Sequence, residues 1–307
     1  MSEERQNRHG DRNDAWLVRD LDPMQAFMNT LMGSRTENEA LIEFDVPAEN
    51  LLSYIKSKND NNENPIFRYT VLHGVLAAFA RTIQMRPKLN YFVRKKKFWE
   101  RKVISFSFVA KKQKVDGGEE NLILTNYKKN SDLSPIEQMH RSTCQMVGEI
   151  RESKTKEDPT IGLVSKFLKL PGFIFNTLTA LLRHWDRNGT MPKEFAKLNP
   201  WNCTCFVSNL GSIDLSATYH HLLNFGTNSI FAILSKITEK PVFKTDGSFE
   251  LHKFLPIALT VDERIADGVY YAKSVKLLQA LLTKPELLDL PANQEIDIDK
   301  ILAEETN

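Results

Sequence analysis

The chain has 307 residues, 41% apolar and 26% charged, enough to bury a substantial core without crosslinks as one large domain or two modest ones. Its 41 Lys and Arg against 39 Asp and Glu leave a formal charge of +2, which argues against a protein built mainly to coat nucleic acid. The polar start lacks the apolar core of a secretory signal, and no later apolar run reaches about 18 residues, so the expectation is a soluble, cytoplasmic protein with no membrane span.

Residues 1–22 read as a flexible N-terminal arm. Asp22 and Pro23 then supply the cap and first turn of a helix, with Met24, Phe27, Met28 and Leu31 at helical spacing and Gly33 as its stop. Residues 39–46 alternate and place Ala40, Ile42, Phe44 and Val46 on one side of a strand. Pro47 opens a second helix carrying Leu51, Leu52 and Ile55, followed by a polar loop over 59–64. A mostly apolar helix over 69–85 stops before Pro87, and His73 inside it reads as a packed core residue rather than a ligand. Extended stretches at 90–95, 98–110 and 121–127 predict a meander of strands. The cluster from Arg94 to Lys97 between two of them reads as a solvated hairpin tip in preference to a phosphate site.

Ser134 and Pro135 begin a helix to about Glu152, and a charged linker over 151–159 follows. Residues 160–195 read as an inserted helical cover. Its apolar portion from Leu170 to Leu182 is about 20 Å long if helical, short of the ~30 Å hydrocarbon thickness, so it is expected to pack on the sheet or on a neighbouring subunit. The last third predicts a strand over 203–209, a strand over 228–236, a hairpin turning at Asp246 and Gly247, and a helix after Gly268 with Val269, Ala272, Val275, Leu278 and Leu282 on one stripe. Residues 291–307 read as a loosely held acidic tail. The three cysteines, Cys144, Cys203 and Cys205, are too few for a disulfide framework. On a strand Cys203 and Cys205 would share a face, but no second Cys/His pair completes a zinc site, and no bound metal is expected.

Two stretches interrupt apolar, extended segments with polar or charged groups: Ser208-Asn209-Leu210-Gly211, and Asp262-Glu263-Arg264-Ile265-Ala266-Asp267-Gly268 directly after a core strand. Buried charges are costly unless paired, so both stretches belong at an edge of the core. Here the chain resembles the catalytic domain of the 2-oxoacid dehydrogenase (dihydrolipoamide) acyltransferase family, which shares its fold with chloramphenicol acetyltransferase. That family carries a Ser-Asn-Leu-Gly-like segment and, some tens of residues later, Asp-His-Arg-x-x-Asp-Gly; this chain matches both except that Glu263 stands where the histidine belongs. Asn199-Pro200-Trp201 also resembles the acetyltransferase branch, and the outline covers roughly residues 25–290.

The resemblance implies an α/β, two-layer chloramphenicol acetyltransferase-like fold, a mixed sheet with helices packed against it, with residues 23–290 as the catalytic domain. It implies a homotrimer with its active site in a channel between subunits, and coenzyme A as cosubstrate rather than a bound cofactor. It further implies Ser208 as donor to a tetrahedral oxyanion, Asp267 in a structural polar network near the site, and Gly268 at the turn into the helix. In the family a histidine removes the proton of a thiol of pKa near about 8.5; a free glutamate of pKa near about 4.3 is a weaker base toward it. Three outcomes follow. Glu263 acts as a retuned base, a histidine elsewhere, such as His220 or His221, has taken over, or the domain is a non-catalytic trimeric scaffold. The family's multienzyme members carry a lipoyl domain ahead of the catalytic core, and this chain is expected to have no such arm of its own, so the acceptor of an acyl thioester is expected to be free coenzyme A, a small molecule, or a lipoyl domain on another chain.

Overall fold

A computed structural model of the chain describes residues 5–62, 67–111, 120–152, 167–192, 199–216, 218–297 and 300–301. Among the described residues ten strands are arranged in two sheets. The main sheet is mixed and runs in the order β2 (Glu39–Pro47), β10 (Phe249–Asp262), β8 (Ile230–Leu234), β7 (Cys205–Asn209), β5 (Ile104–Lys111), β6 (Glu120–Tyr127), with β9 (Thr238–Phe243) also on β10. Strand β7 runs parallel to both of its neighbours, β5 and β8, and the other pairings are antiparallel. Every residue of β8 is buried, as a strand covered on both faces must be.

One face of this sheet carries the main core. Helix α3 (Val71–Met85) is apolar nearly all round, as expected of a central helix, and it packs between α4 (Pro135–Glu152) and the C-terminal helix α6 (Gly268–Thr283). Val75, Leu76, Phe79 and Ile83 meet Cys205, Val207, Ile230 and Ala232 in this layer, and Leu51 and Ile55 of α2 (Glu49–Asp60) join it. His73 is buried here, and its Nδ1 accepts from the backbone N–H of Thr70 at 3.0 Å to close the first turn of α3. Burial pushes its pKa down to about 3. The arrangement is the helix-on-mixed-sheet fold expected from the sequence.

Several expectations are corrected. The stretches expected as one meander divide between two sheets: β5 and β6 enter the main one, while β3 (Tyr91–Arg94) and β4 (Lys97–Arg101) pair with β1 (Ala15–Leu17). Residues 5–22 are therefore held rather than forming a loose arm, because β1 completes that small sheet, Ala15 is buried, and the Asp11 carboxylate accepts from the Leu17 N–H at 3.0 Å. The tail is likewise anchored at its start, where the buried Arg81 donates to the Ala292 carbonyl at 2.8 Å. Cys203 precedes β7 in a bend and packs on the opposite side of the sheet from Cys205, so the two thiols do not share a face.

Helix α1 (Pro23–Leu31) starts where expected, with Asp22 accepting from Met24 N at 2.9 Å, but its apolar stripe faces outward and Phe27 is 56% exposed. Helix α5 (Gly172–Asn188) exposes Phe173 to 74%, while Ile174, Phe175, Leu178, Leu182 and Trp185 are half-buried and the buried residue is Asp186. Most of the 151–159 linker and residues 160–166 lie outside the described residues. No helix among the described residues is long and apolar enough to cross a membrane.

Candidate active site

Ser208 sits near the C-terminal end of β7, half-buried. Alternation along the strand puts it on the same face as Phe206, opposite the main core, where Phe206, Phe231, Ile233, Ala258 and Leu222 form a second apolar cluster. The register fixes a row across three strands: Ser208 lies opposite Ile233 of β8, which lies opposite Ala258 of β10. A tight helical turn over Leu210–Ile213 ends the strand, and Gly211 is required there because a Cβ would stand 2.6 Å from the Ser235 carbonyl oxygen. The Ser-Asn-Leu-Gly motif thus places a hydroxyl at a strand end and then brings two backbones into contact.

Glu263 follows the last residue of β10 and is exposed. Its neighbours are not. Asp262 is fully buried and grips Arg264 with both oxygens, at 2.7 Å to Nε and 2.8 Å to Nη2, while Nε of the buried Arg35 lies 3.6 Å away. The Tyr271 hydroxyl donates to the Asp262 carbonyl at 2.8 Å, and the Glu263 N–H donates to the Asn38 carbonyl at 3.0 Å. The turn is therefore clamped on both sides of the glutamate, whose carboxylate is the group left facing out.

The resemblance places Asp267 in a structural polar network near the site; the buried pairing beside Glu263 is made by Asp262. Asp267 is exposed and caps α6 by accepting from the Tyr270 N–H at 2.8 Å, a bond that lowers its pKa. His220 and His221 lie in an irregular stretch rather than on a strand, and both are exposed with rings stacked 4.5 Å apart. His220 also stacks on Phe231 at 4.2 Å, and Phe231 stacks on Phe206, so the His220 ring shares the sheet face of Ser208. Trp201, from the Asn-Pro-Trp segment, continues this aromatic row on Phe206 at 4.8 Å.

Ser208 and Glu263 do not meet within one chain. Glu263 is five residues beyond Ala258, toward the opposite end of the sheet from Ser208, and two strands away. At ~3.3 Å per residue and ~4.8 Å per strand this separates their backbones by about 19 Å.

The sequence reading missed the buried arginines. Arg94, taken as part of a solvated tip, is mostly buried, and its Nη2 pairs with Asp186 at 2.6 Å; Lys95 and Lys96 form the turn itself. The unusual feature that pointed to it was four consecutive cations on a short hairpin. Among the described residues no group of three His, Cys, Asp or Glu side chains is placed to hold a metal ion.

Residues 184–290 match the family model for the 2-oxoacid dehydrogenases acyltransferase (catalytic domain). Among solved structures, a probable dihydrolipoamide acetyltransferase from Listeria monocytogenes aligns over 87% of this chain and 94% of its own at 17% identity, with a TM-score of 0.55. The truncated catalytic core of the 2-oxoacid dehydrogenase multienzyme complex from Thermoplasma acidophilum covers 88% of this chain and 98% of its own at 12% identity, TM-score 0.52. A chloramphenicol acetyltransferase covers 88% and 98% at 11% identity, TM-score 0.51. No curated protein sequence matches this one. At these identities the structural likeness establishes the fold, and the family model adds the segment that contains both Glu263 and the paired Asp262 and Arg264. The chain has the fold of the acyltransferase catalytic cores of the 2-oxoacid dehydrogenase family, with residues 184–290 as the part that the family's own pattern recognises.

Proposed function

We propose that the protein is a coenzyme A-dependent acyltransferase whose site is completed between two copies of the chain, with Ser208 from one copy facing Glu263 from the next. The observation that carries this reading is the ~19 Å between the two residues on one sheet. Neither can serve the other within a chain, yet each stands exposed or half-buried at a strand end. Further support comes from apolar surface that a second copy would cover: the outward stripe of α1 and the outer half of the β9–β10 hairpin, where Phe243 is 70% exposed. A homotrimer is the assembly this reading expects.

In the reaction, the carboxylate of Glu263 accepts the thiol proton and the sulfur attacks the carbonyl carbon of an acyl thioester. The carbonyl oxygen becomes an oxyanion and accepts a hydrogen bond from the Ser208 hydroxyl. Collapse breaks the bond to the departing thiolate, which takes the proton back from Glu263. The acceptor is free coenzyme A or the dihydrolipoyl group of a lipoyl domain on another chain.

The second reading is a non-catalytic trimeric scaffold, favoured by the carboxylate in the histidine's place. Transfer of acetyl groups from acetyl-coenzyme A to dihydrolipoamide, measured for the unaltered protein and for Ser208→Ala, Glu263→Gln, Glu263→His, His220→Gln and His221→Gln, separates the two. Turnover that falls in Ser208→Ala and Glu263→Gln supports the transferase. Turnover in no form, with no coenzyme A binding, supports the scaffold.

A further inference from the structure

A cavity of about 690 Å³ opens between α1, the turn of the β3–β4 hairpin, α5 and the loop ending at Phe225. Its size is that of a nucleotide-scale ligand site. It does not include Ser208. Its lining includes three mostly or fully buried guanidinium groups, those of Arg35, Arg94 and Arg264. Asp186 is the one carboxylate among the described residues that line it.

Among the described residues the charges do not balance. Arg264 is held by Asp262 and Arg94 by Asp186, while Arg35 has only a longer share of Asp262 at 3.6 Å and otherwise donates to neutral carbonyls, that of Leu223 at 2.8 Å and that of Gly226 at 3.4 Å. Nε of Arg35 and Nε of Arg94 are both buried with no hydrogen-bond partner among the described residues. Burial and the neighbouring Arg94 push the Arg35 pKa down to about 9, the expected response of a guanidinium that lacks a full counter-ion. Nearer the solvent, Arg183 and Arg187 one turn apart on α5 and Lys96 at the hairpin turn add positive charge; Lys96 donates to the Thr30 carbonyl at 3.3 Å. A concave site lined by one sign of charge focuses the field on its interior, and guanidinium forks match phosphate oxygens.

We propose that this cavity binds the phosphate groups of a phosphorylated small molecule, with Arg183, Arg187 and Lys96 engaging the phosphates at the mouth and Arg35 and Arg94 supplying the field beneath. The phosphates are those of coenzyme A or of a separate phosphometabolite. The site stands independently of the roles proposed for Ser208 and Glu263.

Calorimetric titration of the full chain at about 0.1 M salt, with pyrophosphate, adenosine 3′,5′-bisphosphate and coenzyme A as probes, tests it. Pyrophosphate or the bisphosphate is expected to bind with a sub-millimolar Kd. The double variant Arg183→Gln/Arg187→Gln, changed at two exposed positions, is expected to weaken that binding by about tenfold or more with no change in unfolding midpoint. Coenzyme A competing with pyrophosphate supports the site and identifies the source as the cosubstrate. Coenzyme A that does not compete, while pyrophosphate still requires Arg183 and Arg187, supports the site and identifies a separate ligand. No binding of either small probe up to about 10 mM, or an unchanged Kd in the double variant, overturns the proposal even if coenzyme A binds and is turned over.

Discussion

Asp262 and Arg264 clasp each other through two hydrogen bonds, at 2.7 and 2.8 Å, across the single exposed residue between them, Glu263. The clasp is buried, so it cannot be a surface ion pair of little worth. It fixes the backbone of the turn and leaves the glutamate no route into the core.

Replacing Asp262 with Asn should destabilise the fold by about 3–5 kcal/mol, because it leaves the Arg264 and Arg35 guanidiniums buried without their carboxylate. Asp267→Ala, by contrast, removes only the exposed cap of α6 and should cost about 1 kcal/mol. Urea unfolding of the two variants, compared at equal m-value, checks the contrast; similar losses would mean that the buried pair is not the organising element.

If Ser208 donates to the oxyanion, Ser208→Ala should lower kcat by about 10² to 10³ with little change in KM and an unaltered far-ultraviolet spectrum. Glu263→His should raise thiol-dependent transfer, since an imidazole is the better-matched base. Steady-state kinetics with acetyl-coenzyme A and dihydrolipoamide reads both; equal rates in the Ser208 variant would remove the hydroxyl from the mechanism.

Gly211→Ala should destabilise the protein by about 1–3 kcal/mol, because its Cβ would meet the Ser235 carbonyl and the backbone on each side is fixed by strand pairing. Thermal unfolding measures this, and Gly247→Ala at the open hairpin turn, where φ is positive but nothing lies within contact, serves as the comparison that carries strain without a clash.

The assembly should have about three times the 35.3 kDa mass of one chain. Phe243→Ser/Phe249→Ser, which alters only the exposed outer half of the hairpin, should shift the equilibrium toward the monomer and abolish transfer together with it. Analytical ultracentrifugation gives the masses; a monomeric unaltered protein that turns over substrate would break the inter-subunit reading.

Stability should fall as the pH is lowered from about 6.5 toward 3. His73 is buried in its neutral form, with a folded pKa of about 3 against an ordinary 6.5, so below 6.5 the unfolded chain binds the proton and the folded chain does not. His140, whose pKa burial also lowers, acts in the same direction. Each group that titrates in this way contributes up to about 1.4 kcal/mol per pH unit over that window. His73→Gln should flatten the slope of unfolding free energy against pH.

The local elements were legible because each depends on neighbours in sequence. Apolar spacing and the Asp22-Pro23 cap located α1, alternation located β2, and the Asp246-Gly247 pair located the hairpin turn. The two motifs and their strand ends were legible for the same reason. What the sequence could not determine is which face each element turns inward and which distant charge meets which. The stripe of α1 points outward, Asp262 rather than Asp267 takes the buried pairing, and Arg94 reaches Asp186 ninety-two residues away. Strand register alone decided that Ser208 and Glu263 stand at opposite ends of one sheet, and no local pattern encodes that distance, since pairing across the sheet joins residues whose separation along the chain carries no information about their separation in space.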